Sequence, residues 1–281
     1  MSIKKHVSKT YKGLVFTSLL TASYFASASG TFNITLNGLE AFSTTQQTAF
    51  SSAKIFWENI ITGYQPGVQT SGRFGMSGIT IDTTSIATDG VGGVLGSAGP
   101  QNLRSLGGYT LATTGAMNFD SADLGNMDAN GILENIIKHE MAHVIGFGSL
   151  WQNNNLYIAD SGQYTGSEGL TTYQAEFDSA ANFIPVELDG GPGTANGHWN
   201  EEGGLNLTGI TDSNGNDMRD ELMTGIFYNN GKTFFSDTTI ASFQDLGYTV
   251  SFPVAVPVPA AFWLFISAFS FLGFNRKNKQ K

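Results

Sequence analysis

The sequence contains no cysteine and is poor in charged residues and in histidine. Without cysteine, neither disulfide bonds nor thiolate chemistry is available, so the core and any bound metal must hold the fold together. Charged residues make up only 13% of the 281 residues, whereas glycine occurs 35 times, which favours many turns and short strands around a few helices. Hydrophobic residues, at 41%, still suffice for a sizeable core and argue against wholesale disorder.

Basic residues are scarce in the central part of the chain. Eight of the 14 Lys and Arg residues lie within the first 28 residues or after residue 250, and these two segments contain no Asp or Glu. The six others face all 23 acidic residues, so residues 29–250 carry a formal charge of about −17. A region with this negative charge repels nucleic acid and anionic membrane surfaces, and we therefore expect neither as a partner.

Residues 1–28 have the layout of a secretory signal peptide. Four lysines precede an apolar stretch over residues 13–25, and Ala26-Ser27-Ala28 then supplies a cleavage site of the small-x-small type. We therefore predict that the protein is exported and cut after Ala28.

Residues 251–281 form a second terminal segment with three parts. A Val/Pro-rich stretch leads into an uncharged apolar run that ends at Phe274, and four basic residues follow. With the Val/Pro stretch included, the run is long enough to span a membrane, and the basic end would stay cytoplasmic. This tail resembles the PEP-CTERM sorting signal of Gram-negative bacteria, although Val258 stands where that signal usually has Glu. The resemblance implies transient anchoring in the inner membrane, processing by exosortase-type machinery, and delivery to the cell surface or the medium. An ordinary membrane anchor is the alternative.

Residues 29–250 read as a single domain without internal repeats. Apolar periodicity and capping residues predict four helices, at 45–64, 130–146, 171–180 and 237–246. Shorter β-like runs between Gly, Ser and Thr clusters predict strands at 78–82, 91–95 and 116–119. The Gly-rich run at 89–93 lacks the lysine of a phosphate-binding loop, so it is interpreted as a turn into a strand.

The second of these helices carries the pattern His-Glu-x-x-His. Because residues i and i+4 of a helix lie on one face, the imidazoles of His139 and His143 can reach a single metal ion. Glu140 points to one side of that pair, where it can serve as a general base toward a water molecule. Gly146 allows a sharp turn at the point where the helix must stop. Nitrogen ligands favour zinc over calcium.

A catalytic zinc site requires a third protein ligand. The chain has four histidines, of which His6 lies in the predicted signal peptide, so His198 is the only one left beside the helical pair. The competing ligands are the carboxylates of Glu168 and Glu176, as in zinc peptidases whose third ligand is a Glu on a later helix.

Four segments together resemble leishmanolysin and its bacterial relatives. They are His139–Phe147, the pair His198-Trp199, the run Asp220-Glu221-Leu222-Met223-Thr224-Gly225, and the run Phe243-Gln244-Asp245-Leu246-Gly247-Tyr248. In that family an insertion separates the helical pair from the third histidine, and a Met-turn lies beneath the zinc. The resemblance therefore implies that His198 is the third ligand and that Met223 is the methionine of the Met-turn.

The resemblance also implies the fold and the activity. We expect an α+β fold of the zincin or metzincin type, with a twisted sheet and the active-site helix above a loop-rich C-terminal subdomain. We expect a zinc metalloendopeptidase that hydrolyses peptide bonds of protein or peptide substrates, with Glu140 as catalytic base. The alternative from another class is a non-catalytic, metal-stabilised surface or matrix protein.

A second metal site is predicted in an acidic loop. Asp212, Asn214, Asn216 and Asp217 alternate carboxylate and amide oxygens, as calcium loops do. The spacing fails as an EF-hand, because the sixth position is Asp217 and the twelfth is Met223. The hypothesis is therefore an irregular Ca²⁺ loop.

Overall fold

The computed structural model describes residues 31–201, 206–228 and 231–253. The predicted signal peptide and the apolar and basic parts of the predicted sorting tail lie outside these residues. Among the residues that are described, no helix is long and apolar enough to cross a lipid bilayer.

The fold is of the mixed α/β kind. The helices and strands in the described ranges are, in chain order, β1 (Ile34–Asn37), α1 (Thr44–Ile60), β2 (Ile61–Tyr64), β3 (Ile79–Ile86), β4 (Gly96–Leu106), β5 (Tyr109–Asp120), α2 (Leu124–Ala129), α3 (Leu133–Ile145), β6 (Gln163–Tyr164), α4 (Ser167–Glu176), β7 (Ile184–Pro185), α5 (Asp237–Asp245) and β8 (Tyr248–Val250).

A four-stranded mixed sheet forms one layer of the fold. Its strands lie in the order β1-β3-β5-β4, with parallel pairing between β1, β3 and β5. β4 runs antiparallel to β5 and occupies the edge of the sheet. A separate antiparallel ribbon joins β2 to β8, and the hydroxyl of Tyr248 in that ribbon donates to the carbonyl of Ile145 over 3.0 Å. The C-terminal ribbon thus contacts the end of α3.

Helix α1 forms because its start is capped and one of its faces is apolar. Ser43 and Gln46 make a reciprocal capping box, in which each side chain bonds the backbone N–H of the other. The buried face of the helix consists of apolar residues at helical spacing, namely Phe50, Ala53, Trp57 and Ile60. The indole N–H of Trp57 donates to the carbonyl of Lys138 over 3.0 Å, which ties α1 to α3.

Helix α3 packs between α1 and the strands β4 and β5. It approaches β5 closely at Gly115, where a Cβ atom would lie 2.3 Å from Cγ1 of Val144. A side chain at this position would push the helix away from the sheet. Gly146 ends the helix with a φ of 141°, which a residue with a side chain rarely adopts.

Residues 146–236 are held by short elements and by aromatic packing. Among the described residues of this range, α4 is the longest element, with 10 residues. Four buried rings pack together at its centre, those of Phe147, Trp151, Tyr164 and Trp199, and the two indoles stack with centroids 4.9 Å apart. This group, called the aromatic cluster below, gives the loop-rich region its own apolar core.

Several boundaries differ from the sequence predictions. The predicted strand 91–95 is wrong, because those residues form a loop and β4 begins at Gly96. The first helix ends at Ile60, and the residues predicted to continue it form β2. The predicted helix 171–180 begins earlier, at Ser167. Periodicity did not indicate β1, α2 or most of β4 and β5. For β4 the reason is that the strand contains several Gly and Ser residues and no fully buried side chain.

Candidate active site

Helix α3 presents three of the predicted functional side chains. His139 and His143 lie one turn apart on the same face, with ring centroids 4.7 Å apart. Glu140 is only 7% exposed and faces the beginning of β4. A Cβ atom at Gly96 would lie 3.0 Å from its Oε1 atom, so the backbone of β4 passes directly beside this carboxyl group.

His198 reaches the same place from the loop-rich region. Its segment pairs with two others, through a bridge from Trp199 to Val186 and another from Trp199 to Thr224. The backbone N–H of Trp199 donates to the carbonyl of Met223 over 3.0 Å. The indole of Trp199 belongs to the aromatic cluster, and its Nε1 donates to the hydroxyl of Thr239 over 2.8 Å. The position of the His198 ring is thus fixed by its neighbour in the chain.

The three imidazoles converge through their Nε2 atoms. The Nε2–Nε2 distances are 3.0 Å for His139 and His143, 3.1 Å for His139 and His198, and 2.9 Å for His143 and His198. In the described part of the chain, these residues form the one group of three potential metal ligands whose ligand atoms all lie within 4.8 Å of one another. The sequence prediction that His198 joins the helical pair therefore agrees with the geometry.

A backbone carbonyl orients each ring. The Nδ1 atom of His139 lies 2.7 Å from the carbonyl oxygen of Leu222, that of His143 lies 2.9 Å from Phe147, and that of His198 lies 2.8 Å from Thr194. A carbonyl only accepts hydrogen bonds, so each Nδ1 carries the proton and each Nε2 presents a lone pair.

These lone pairs fit a metal ion. Three Nε2 lone pairs at these distances repel one another unless a cation lies between them. Burial lowers the pKa of all three imidazoles, that of His198 to about 3, so protonation does not supply the missing charge at neutral pH. Three neutral imidazoles, each with a hydrogen-bonded Nδ1, are a ligand set that zinc accepts.

The family comparison agrees with this geometry. The family model for leishmanolysin, peptidase family M8, matches residues 110–263, which is more than half of the chain and includes all three histidines. The chain belongs to the leishmanolysin family. Leishmanolysins are zinc-dependent metallopeptidases, and a peptidase acts on protein or peptide substrates. No curated protein matches the sequence.

Met223, which the leishmanolysin resemblance assigned to the Met-turn, is completely buried. It lies between Leu222, whose carbonyl orients His139, and Thr224, which pairs with Trp199. The Met223 segment therefore contacts the ring of His139 through the Leu222 carbonyl. It also contacts the residue after His198, because the Met223 carbonyl accepts from the N–H of Trp199.

Glu221 is a residue of the leishmanolysin-like site to which sequence reasoning gave no role. Its buried carboxylate accepts hydrogen bonds from the backbone N–H of Met223, from the backbone and hydroxyl of Ser236, and from the hydroxyl of Thr239 over 2.7 Å. The same Thr239 hydroxyl accepts from Trp199. Burial raises the pKa of Glu221 despite these donors. The only sequence signal was its place two residues before Met223, within a segment that carries the resemblance to leishmanolysin.

Two further buried carboxyl groups flank the His198 segment. Glu187 donates its backbone N–H to the carbonyl of His198 over 3.0 Å, and Glu201 accepts from the backbone N–H of Gly225 over 3.1 Å. Burial and then the charge of Glu187 raise the pKa of Glu201 to about 7. Glu201 therefore tends to hold a proton near neutral pH.

The alternative third ligands lie elsewhere. Glu176 accepts hydrogen bonds from the N–H groups of Asp237 and Thr238 at the start of α5, and Glu168 is exposed at the start of α4. Neither carboxylate belongs to the group of three ligands found in the described residues.

The predicted calcium loop is not supported. The carboxylate of Asp212 accepts four hydrogen bonds, from the backbone and side-chain nitrogens of Asn214 and Asn216. Asp217 instead accepts from Thr208, Gly209 and Arg219. The loop closes on itself because its amide groups act as hydrogen-bond donors to Asp212, where a calcium loop would present their oxygens to the ion.

Proposed function

We propose that the protein is an exported zinc endopeptidase, with His139, His143 and His198 as metal ligands and Glu140 as general base. The observation that carries the proposal is the convergence of three Nε2 lone pairs beside a buried glutamate. The match to the leishmanolysin family supports the reaction class.

When bound, zinc supplies a Lewis acid that polarises a peptide carbonyl and lowers the pKa of a water molecule. The chain supplies the proton transfer. Burial raises the pKa of the Glu140 carboxyl to about 8, and a cation held by the three histidines would lower this pKa, so that Glu140 is ionised and can accept a proton. It takes a proton from the attacking water and delivers it to the departing amine nitrogen.

The place of β4 supports a substrate bound in an extended conformation. β4 pairs with β5 on one side only and begins at Gly96, next to Glu140. An edge strand offers unpaired backbone groups to which a peptide can add as a further strand. The metzincin arrangement, with Met223 as its Met-turn, is part of this proposal.

Four variants of the full-length protein test the mechanism. Glu140→Ala should keep about one zinc ion per chain and lower casein cleavage by roughly 10²–10⁴-fold, because the general base is lost. His198→Ala and His143→Ala should lose both zinc and activity. Glu134→Ala is the matched control, since this residue lies on the same helix but pairs with Lys138 at the surface.

Equal activity of the wild type and Glu140→Ala would contradict the mechanism, and undiminished zinc in His198→Ala would move the third ligand elsewhere. Bound zinc without any cleavage by the wild type would favour a metal-stabilised surface or matrix protein.

We also propose that residues 1–28 direct export and that residues 251–281 anchor the protein in the inner membrane until exosortase-type machinery processes it. The composition of the two segments supports this route. Mass spectrometry of the protein from the cell surface and medium should find Ser29 at its N-terminus and the basic end missing. Protein found only in the cytoplasm with Met1 retained would contradict this route.

A further inference from the structure

The loop of residues 87–95 joins β3 to the edge strand β4. It contains the Gly-rich run interpreted from the sequence as a turn, and Gly90, Gly92 and Gly93 all have positive φ angles. The side chains of Val91 and Val94 are exposed, so apolar packing of these two residues does not hold the loop. With no cysteine in the chain, a disulfide cannot hold it either.

Two aspartates at the end of β5 bind this loop through its backbone. One carboxylate oxygen of Asp120 accepts from the N–H groups of Asp89 and Gly90 over 3.0 and 3.1 Å. The Oδ1 atom of Asp123 accepts from the N–H of Gly92 over 2.9 Å. Both carboxylates therefore face the same four-residue stretch of backbone.

These carboxylates are buried without a compensating charge. Asp120 is 1% exposed and Asp123 is 3% exposed. The ion pairs formed by described residues involve Glu58, Glu134 and Asp220, and none includes either aspartate. The Oδ2 atom of Asp123 is buried and has no hydrogen-bond partner. An unpaired buried carboxylate oxygen is costly, because it has lost its water without gaining a donor or a cation.

A proton does not relieve this charge at Asp120. Hydrogen bonds from backbone N–H groups, led by that of Ala122, hold the pKa of Asp120 below its ordinary value. It therefore stays ionised at neutral pH. The buried carboxyl of Glu201 differs in this respect, because its pKa rises to about 7 and it can therefore carry a proton near neutral pH.

We propose that the 87–95 loop and the carboxylates of Asp120 and Asp123 form a calcium site that is separate from the three histidines. Calcium takes oxygen ligands, and it accepts carboxylates together with backbone carbonyls in flexible geometry. The free Oδ2 atom of Asp123 and the carboxylate of Asp120 supply the charge, and carbonyl groups of the Gly-rich loop would supply the remaining oxygens beside the N–H groups that already donate to the two carboxylates. An ion at this site holds the segment that leads into Gly96, and hence the backbone beside Glu140.

Thermal unfolding of the full chain carrying Glu140→Ala tests the site without autolysis. Calcium at about 100 times its Kd should lower the unfolding equilibrium constant about 100-fold, seen as a rise of about 5–10 °C in Tm. The histidine site should not contribute, because calcium binds poorly to nitrogen.

Asp123→Asn in the same background should abolish the calcium-dependent rise. It should not lower Tm in calcium-free buffer, because the amide oxygen of Asn can still accept from Gly92. Asp120→Asn should abolish the rise as well and serves as the second variant if the first does not fold. Asp212→Asn is the matched control and should retain the full rise.

The proposal falls if calcium up to about 10 mM, roughly tenfold above the weakest Kd of extracellular calcium modules, leaves Tm unchanged. It also falls if either Asp123→Asn or Asp120→Asn keeps the rise, or if Asp212→Asn loses it. Because every protein in the experiment lacks Glu140, its outcome is independent of whether the chain is a peptidase.

Discussion

The two regions that supply the histidines hold them by different means. In α3, regular helix geometry places His139 and His143 on one face, and the helix is fixed between α1 and the sheet. In the loop-rich region, His198 is held by its neighbour Trp199, which lies in the aromatic cluster and donates to Thr239. The helix positions its ligands through local spacing, whereas the loop region needs contacts between residues far apart in the chain.

Removal of the Trp199 side chain should have the largest effect, because it should lower both stability and zinc binding. Trp199→Ala should lower the free energy of unfolding by about 3–5 kcal/mol, because it empties a completely buried site. Urea unfolding monitored by circular dichroism gives this value. We also expect weaker zinc binding, since the residue next to His198 loses its anchor.

Phe50→Ala in α1 is the matched control for that variant. Phe50 is also completely buried, and it packs against Phe42 and Phe119, away from the histidines. It should cost a similar free energy of unfolding and leave zinc affinity unchanged. Equal zinc affinity in the two variants would mean that the aromatic cluster does not position His198.

Glu221 accepts a hydrogen bond from Met223, whose segment contacts both His139 and Trp199, and its loss should have the next largest effect. Glu221→Ala removes the acceptor for Met223, Ser236 and Thr239, and we expect zinc affinity or kcat to fall about 10–100-fold. Glu221→Gln retains one acceptor oxygen and should recover part of the loss. A zinc titration gives the affinity, and steady-state kinetics give kcat and KM separately; together they test this role. A fall in stability alone, with zinc affinity and kcat intact, would contradict a positioning role for Glu221.

The smallest expected effect concerns pH and lies wholly in the loop-rich region. The pKa of Glu201 is raised to about 7, so the folded protein binds this proton more tightly than the unfolded chain does. Glu201 therefore contributes stability that is present at low pH and is lost as pH rises from about 5 through 7, opposite in sign to the contribution of the three histidines, whose pKa values burial lowers. Glu201→Gln should remove this contribution, so that across this range the free energy of unfolding in denaturant falls less, or rises more, with pH than that of the wild type. An unchanged slope would show that Glu201 does not titrate in this interval.

The same contrast between local and distant contacts explains what the sequence could predict. Helix α3, its glycine stop and its ligand pair follow from local spacing, and α5 was predicted nearly to the residue. The place of His198 was reached by counting histidines, and the geometry agrees with it.

What could not be predicted depends on distant backbone contacts. No periodicity signals that the carbonyls of Leu222, Phe147 and Thr194 orient the three rings. The calcium prediction for the acidic loop at 212–217 is not supported, and composition could not decide it because it does not reveal whether an Asn side chain turns its oxygen or its nitrogen inward. Strand β4 was missed because none of its side chains is fully buried, which removes the alternation that marks a half-buried strand.

The carbonyl of Leu222 that fixes His139 has a consequence for the order in which the protein matures. His139 lies 83 positions earlier in the chain, so a growing polypeptide that has already made all three histidines still lacks the group that orients the first of them. A chain that ends before residue 222 therefore lacks one of the three carbonyls that orient the imidazole rings. The arrangement of the three histidines is complete only after the polypeptide has been made past residue 222.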